Sequence, residues 1–109
     1  MHELSITRSL VELVAERAGT RRVCRVQVAF GALTGVDPRA IVFCYELCAQ
    51  GTVLEGSRLE IRTLPARGTC ECGQTVSLSA LRARCDCPRA GRVTVVGGDE
   101  LVVTEMELE

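Results

Sequence analysis

The chain has 109 residues and a formal net charge of −1, and all 13 of its basic residues are arginine. This length suits one domain, with or without a small inserted module, and is too short for two full cores. The near-neutral charge and an aromatic content of 3% argue against a nucleic-acid partner, because a polyanion needs a basic surface and unpaired bases need stacking platforms.

Apolar residues recur at spacings of three and four from Glu3 to Ala18, which predicts an amphipathic helix that ends at Gly19. The segment VCRVQVAF at 23–30 alternates between apolar and polar residues and predicts a half-buried strand. The apolar face of this strand would consist of Cys24, Val26, Val28 and Phe30.

Asp37 and Pro38 form an N-cap and first-turn pair, and they precede an apolar run that predicts a second helix extending to Gly51. The segment RLEIRTL at 58–64 predicts a second strand. The elements up to this point therefore alternate between helix and strand.

The composition changes at Pro65. Between residues 66 and 92 there are four cysteines, five arginines and few large apolar side chains, so this segment needs a crosslink or a metal to form a core. The segment at 91–108 then predicts two strands joined by a turn at Gly97, Gly98 and Asp99. The whole order predicts an α+β fold in which two helices cover one face of a small sheet.

The chain contains no run of about 18 apolar residues and no apolar segment behind a basic start, so it predicts neither a membrane span nor a secretory signal. It contains seven cysteines, an odd number. In a reducing compartment, clustered cysteines indicate metal or redox chemistry rather than structural disulfides. We therefore expect a soluble cytoplasmic protein.

Four cysteines form two matched pairs in the segments TCECGQ and RCDCPR, with 12 residues between the pairs: Cys70, Cys72, Cys85 and Cys87. Two short pairs on either side of a possible hairpin can deliver four thiolates to one tetrahedral zinc. The usual spacing is Cys-x-x-Cys, whereas both pairs here are Cys-x-Cys. Because residues i and i+2 of an extended strand share a face, the thiolates can still converge. A structural zinc site is the favoured interpretation, and a redox-active thiol pair is the alternative.

The other three cysteines are assigned to core packing, because buried cysteine behaves as a small hydrophobic residue. Cys24 lies in the first predicted strand, and Cys44 and Cys48 are four residues apart on the second predicted helix. Metal chelation by the helical pair is the alternative for Cys44 and Cys48.

His2 is the only histidine of the chain. A large second residue predicts retention of Met1, which places an α-amine, backbone amides and an imidazole within three residues, beside the carboxylate of Glu3. Such a nitrogen set suits square-planar Ni(II) or Cu(II) rather than zinc. The alternative is an incidental histidine on a frayed terminus, and the residues taken alone favour it.

The segments MHELSI, FGALTGVDPRAIVFCYEL, GTVLEGSRLEI, CGQ and GGDELVVTEMELE follow one another over nearly the whole chain. Together they resemble the HypA/HybF family of hydrogenase nickel-incorporation proteins. The resemblance implies a metallochaperone, not an enzyme, which delivers Ni(II) to the large subunit of NiFe-hydrogenase together with the GTPase HypB. It also implies that the nickel ligands are Met1, His2 and Glu3.

The family fold implies two helices on a small mixed three-stranded sheet, with a four-cysteine zinc module on a flexible arm before the last strand. For this chain it implies a nickel-binding domain at 1–65 plus 98–109 and a zinc-binding module at 66–97. The resemblance leaves three properties open: hydrogenase or urease as the target, monomer or dimer, and the two metal affinities.

Members of the family typically have two Cys-x-x-Cys pairs, and this chain departs from that pattern. Alignment on CGQ and CPRAG retains Cys72 and Cys87 and places Thr69 and Ala90 where the other two family cysteines stand. We therefore expect Cys70 and Cys85 to replace those two as zinc ligands.

Two further functions remain open at this point. A zinc-ribbon adaptor would bind an acidic protein or a nucleic acid through the segment 66–92, which has five arginines against Glu71 and Asp86. A zinc/thiol redox switch would release its metal when the thiols are oxidised. A Ser/His/Asp catalytic set is not expected in a chain whose single histidine is terminal.

Overall fold

A computed structural model of the chain describes residues 3–78, 84–89 and 91–109. Within these residues there are two α-helices and six β-strands, together with a short 3-10 turn at Ala32–Thr34. In chain order they are α1 (Glu3–Ala18), β1 (Val23–Gly31), α2 (Pro38–Ala49), β2 (Arg58–Leu64), β3 (Ala66–Cys70), β4 (Thr75–Leu78), β5 (Val93–Gly97) and β6 (Leu101–Leu108).

The helix ends follow local capping signals in the sequence. Gly19 follows α1 with a φ of 65°, a left-handed conformation that glycine adopts without steric cost. The Asp37 carboxylate accepts a hydrogen bond from the backbone N–H of Arg39 at 3.0 Å, with Pro38 in the first turn of α2. Neither described helix is long and apolar enough to cross a membrane.

The first sheet has the strand order β2-β1-β6. Its central strand β1 is parallel to β2 and antiparallel to β6, so the expected mixed three-stranded sheet is confirmed. Both helices pack against it, and their contact forms the main core. Five of its members are less than 2% exposed, because they lie between the helices and the sheet: Val14, Val26, Val28, Ile41 and Leu54.

A second, antiparallel sheet has the strand order β4-β3-β5. The turn at Gly97 and Gly98 therefore connects two sheets rather than two neighbouring strands, because β5 pairs with β3 whereas β6 pairs with β1. In the part of the chain that the structure describes, the second sheet has a small apolar cluster, whose buried members are Cys70, Val76 and Cys85.

The two sheets meet at a junction formed by the end of β1 and the connection between β5 and β6. The backbone N–H of Gly31 donates to the carbonyl oxygen of Glu100 at 2.8 Å, and that of Leu33 donates to the carbonyl oxygen of Gly98 at 2.6 Å. A Cβ on Gly98 would lie 2.5 Å from the Cα of Ala66, the first residue of β3. Backbone atoms thus make close contacts at the corner where the chain changes sheets.

The assignment of Cys24 to the core is wrong, since this residue is exposed. The pairing of β1 with β6 shifts register between Val23 and Arg25, and such a bulge reverses which residues face inward. Val23 therefore enters the core in place of Cys24. On α2, Cys48 packs against the core as expected, and Cys44 is half-buried.

Candidate metal centre

The predicted nickel segment lies only partly within the described residues. Met1 and His2 lie outside the described residues, whereas Glu3 is the first residue of α1. A carboxylate in this first turn is stabilised by the positive end of the helix dipole. The carbonyl oxygen of Glu3 accepts a hydrogen bond from the hydroxyl of Thr7, which is fully buried, at 2.7 Å. Glu3 is therefore anchored to the helix.

The four clustered cysteines lie together at the end of the second sheet away from the junction. Cys70 ends β3 and Cys72 lies in the following turn, whereas Cys85 and Cys87 lie between β4 and β5. Their four sulfur atoms all lie within 4.8 Å of one another. In the described part of the chain, these are the side chains found to be grouped closely enough to hold a metal ion.

Two sulfur contacts join the first cysteine pair to the second. The distance between Sγ atoms is 3.7 Å for Cys70 and Cys87, and also 3.7 Å for Cys72 and Cys85. Four thiolates bound to zinc at about 2.3 Å in a tetrahedron are about 3.8 Å apart, whereas a disulfide requires about 2.0 Å. The spacing thus matches a single tetrahedral metal ion.

Backbone N–H groups point at the sulfurs. The N–H of Cys72 lies 3.5 Å from the sulfur of Cys70, and the N–H of Gly91 lies 3.4 Å from that of Cys87. The hydrogen bond from Gly91 is the main reason that the pKa of Cys87 falls to about 7. Cys87 therefore loses its proton more readily than an ordinary thiol.

The two buried thiols behave differently. The N–H of Cys72 lowers the pKa of Cys70, but burial and the neighbouring thiols outweigh it and raise that pKa to about 12. The N–H of Cys87 has the same effect on Cys85, whose pKa is nevertheless raised by burial and by the Cys72 thiol. Because metal ligands must be deprotonated, a bound ion would displace protons from these two residues.

Gln74 also contacts the cluster, although it was not among the predicted site residues. Its backbone oxygen accepts a hydrogen bond from the N–H of Cys70 at 2.9 Å, and its side-chain oxygen accepts one from the thiol of Cys85 at 3.2 Å. The only signal in the sequence was the CGQ segment, which contributed to the family resemblance without indicating a role for the glutamine.

Comparison with known proteins adds a further observation. A family model described as "Hydrogenase/urease nickel incorporation, metallochaperone, hypA" matches residues 1–108. The chain belongs to the HypA family. This is a metallochaperone family of nickel incorporation, and the match extends over both sheets and the N-terminal segment.

Individual relatives match this chain over all or nearly all of their length. The hydrogenase maturation factor HypA of Geobacter metallireducens is 46% identical over 110 residues, covering 100% of both chains. The HypA of Trichodesmium erythraeum is 41% identical, covering 100% of this chain and 96% of the relative. The solution structure of the Ni metallochaperone HypA from Helicobacter pylori has 24% identity, covers 99% of this chain and 97% of its own, and superposes with a TM-score of 0.69. That likeness shows a shared HypA fold.

Proposed function

We propose that this HypA-family chain binds Ni(II) through Met1, His2 and Glu3 and delivers it to the large subunit of NiFe-hydrogenase. The observation that supports this most strongly is the family match over residues 1–108, which includes the N-terminal segment. A zinc-ribbon adaptor would leave that segment idle, so the extent of the match favours nickel delivery over the adaptor.

The proposed mechanism is ligand exchange without catalysis by the chain itself. Square-planar Ni(II) on terminal nitrogen ligands can pass stepwise to thiolates of the target, and protonation of the His2 imidazole favours release. A HypB-like GTPase is the proposed helper in this transfer. Whether the chain acts as a monomer or a dimer does not alter the ligand set.

The proposed role of Cys70, Cys72, Cys85 and Cys87 is to hold one structural Zn(II). The support is the 3.7 Å separation of two pairs of sulfurs, which suits a tetrahedral ion with thiolate ligands. Because thiolate sites persist in reducing compartments, the proposed location is the cytoplasm. The second sheet with its cysteines (66–97) is the proposed zinc module, and residues 1–65 plus 98–109 form the proposed nickel-binding domain.

Titration of the zinc-loaded chain with Ni(II), followed by calorimetry, tests the nickel assignment. We expect the wild type to bind one Ni(II) and His2→Ala to bind at least about 10-fold more weakly, with unchanged zinc content, because the imidazole is one of the few nitrogen ligands of the set. Ser5→Ala, an exposed substitution in the first turn of α1, is the matched control. Equal nickel affinity in the wild type and His2→Ala would refute the proposed site.

A further inference from the structure

Gln74 links the two cysteine pairs through two separate bonds. Its backbone oxygen fixes the turn after β3 by accepting the N–H of Cys70, while its side chain reaches the sulfur of Cys85, 11 residues further along the chain. The first bond depends only on the backbone, so it survives any change of the side chain. The second bond is therefore the one that a substitution at Gln74 would remove.

The direction of the side-chain bond depends on whether Cys85 carries a proton. A protonated Cys85 thiol donates a hydrogen bond to the Gln74 side-chain oxygen, which lies 3.2 Å from the sulfur. A metal-bound thiolate has no proton and only accepts. The glutamine amide carries an oxygen acceptor and an NH₂ donor at nearly equivalent positions, so a half-turn of the amide presents N–H to the sulfur.

The N–H of Cys87 already points at the Cys85 sulfur, and a second donor stabilises a thiolate there further because water reaches it poorly. Cys85 is only 6% exposed, and four thiolates around one divalent ion leave two uncompensated negative charges. Hydrogen bonds from outer groups orient metal ligands and stabilise the charge on them. In a Cys-x-x-Cys pair, the backbone N–H groups of the turn donate to the sulfurs. The shorter Cys-x-Cys spacing changes which backbone N–H groups can reach them.

We infer that Gln74 is a positioning residue of the proposed zinc site, which donates an N–H to the Cys85 thiolate and thereby slows metal loss. This inference rests on the proposed zinc site and adds to it a residue that does not itself bind the metal. The role requires a neutral side chain with a donor of this length. A carboxylate at the same position cannot donate when ionised and repels the thiolate.

The test uses the full chain loaded with zinc, and separately with Co(II) as a spectroscopic probe. Gln74→Leu removes the donor without adding charge, and Gln74→Glu replaces the donor by a carboxylate of the same shape. Gln50→Glu, the same chemical change at an exposed residue that caps α2, is the control. The measurements are the rate of zinc transfer to a chelating dye and the wavelength of the sulfur-to-Co(II) charge-transfer band.

We expect zinc release to be about 10-fold faster in Gln74→Leu and faster still in Gln74→Glu, in line with the effect of other outer hydrogen bonds on metal sites. The charge-transfer band should move to longer wavelength in both variants, since loss of an N–H donor raises the energy of the sulfur electrons. Loosening of the turn alone would not move this band.

Release rates within about twofold of the wild type in both Gln74 variants, with an unmoved band, would overturn the inference. If the wild type also bound less than half an equivalent of zinc, the proposed zinc site itself would fail. If the wild type held one zinc and the Gln74 variants were unaffected, the role of Gln74 would be rejected and the proposed zinc site would stand.

Discussion

Gly31 and Gly98 pack backbone against backbone so closely that a Cβ built on Gly31 would lie 2.0 Å from the Gly98 carbonyl oxygen. Gly31 has a φ of −74° and a ψ of 149°, a conformation open to any residue. The requirement for glycine at this position is therefore one of space. It arises because the junction brings the end of β1 against the connection between β5 and β6.

Substitution of Gly31 by alanine should be strongly destabilising. We expect Gly31→Ala to lower the free energy of unfolding by about 3 kcal/mol, at the upper end of the usual cost of overpacking, because backbone atoms cannot move aside as a side chain can. Gly19→Ala is the control: a Cβ there meets nothing within 4 Å, and its φ of 65° adds only a conformational cost of about 1–2 kcal/mol. Urea unfolding followed by circular dichroism measures both; equal losses would contradict the steric explanation.

Glu100 should stabilise the junction in a pH-dependent way. Its own backbone N–H, the N–H of Gly98 and the guanidinium of Arg67 lower the pKa of its carboxyl group from 4.5. A lowered pKa in the folded state stabilises the fold above the unfolded pKa, and this contribution is lost as the pH falls through the folded value. Glu100→Gln should therefore be less stable than the wild type at pH 7, and the difference should shrink below about pH 4.5.

Urea unfolding at a series of pH values checks this prediction. Acid would remove a metal held by thiolates from both proteins alike, so the comparison between them isolates Glu100. Glu12→Gln, on the exposed face of α1, should match the wild type throughout. A stability difference for Glu100→Gln that stays constant from pH 7 to pH 3 would show that the charge of Glu100 is not responsible.

Removal of metal from the proposed zinc site should unfold the second sheet and spare the first. Among the described residues, the apolar cluster of the second sheet has three buried members, Cys70, Val76 and Cys85, whereas that of the first sheet has twelve. A core so small needs a metal to offset the entropy of the ordered chain. Hydrogen exchange should show rapid exchange in β3 after chelation, unchanged protection in β1 and recovery when zinc is restored. Protection of β3 without zinc would contradict this.

Arg25 should bind the three strands of the first sheet together electrostatically. Its guanidinium lies 3.2 Å from Glu60 on β2, and 3.0 Å and 3.2 Å from Glu105 and Glu107 on β6. Arg25→Met keeps the apolar stem and leaves three carboxylates facing one another, so we expect a loss of stability at low salt. The loss should fall by at least about half in 1 M salt, where the screening length is about 3 Å.

Arg62→Met is the matched control for Arg25→Met, since Arg62 is exposed on β2. Unfolding of both variants in urea at low and high salt gives the comparison. If the loss of stability depended on salt equally in the two variants, the three carboxylates around Arg25 would not be the cause of the loss.

The local sequence pattern was sufficient to predict those helices and strands that have a clear apolar periodicity. The predicted helix at 3–18 and strand at 58–64 match α1 and β2, because their apolar periodicity and end signals are strong. β3 and β4 were not predicted. β3 alternates between buried and exposed positions, but its buried residues are Ala66, Gly68 and Cys70, which are too small to give a visible hydrophobic pattern.

Tertiary contacts determined the features that the sequence pattern did not predict. The convergence of four cysteines was predictable from their paired spacing, and the sulfur cluster agrees with it. Which sulfurs contact one another was not predictable from the spacing: Cys70 contacts Cys87, and Cys72 contacts Cys85, each at 3.7 Å. The exposure of Cys24 likewise depends on a bulge that only the partner strand β6 reveals.

The position of the junction has a consequence for how freely the cysteine loops can vary. β3 runs from Ala66 at the junction to Cys70 at the sulfur cluster, a rise of about 13 Å. An altered spacing between cysteines is therefore absorbed at the far tip of the molecule, where no strand of the first sheet has to shift its register. In such a fold, the spacing of the cysteines can change at one end of the molecule without altering the packing of the helices at the other end.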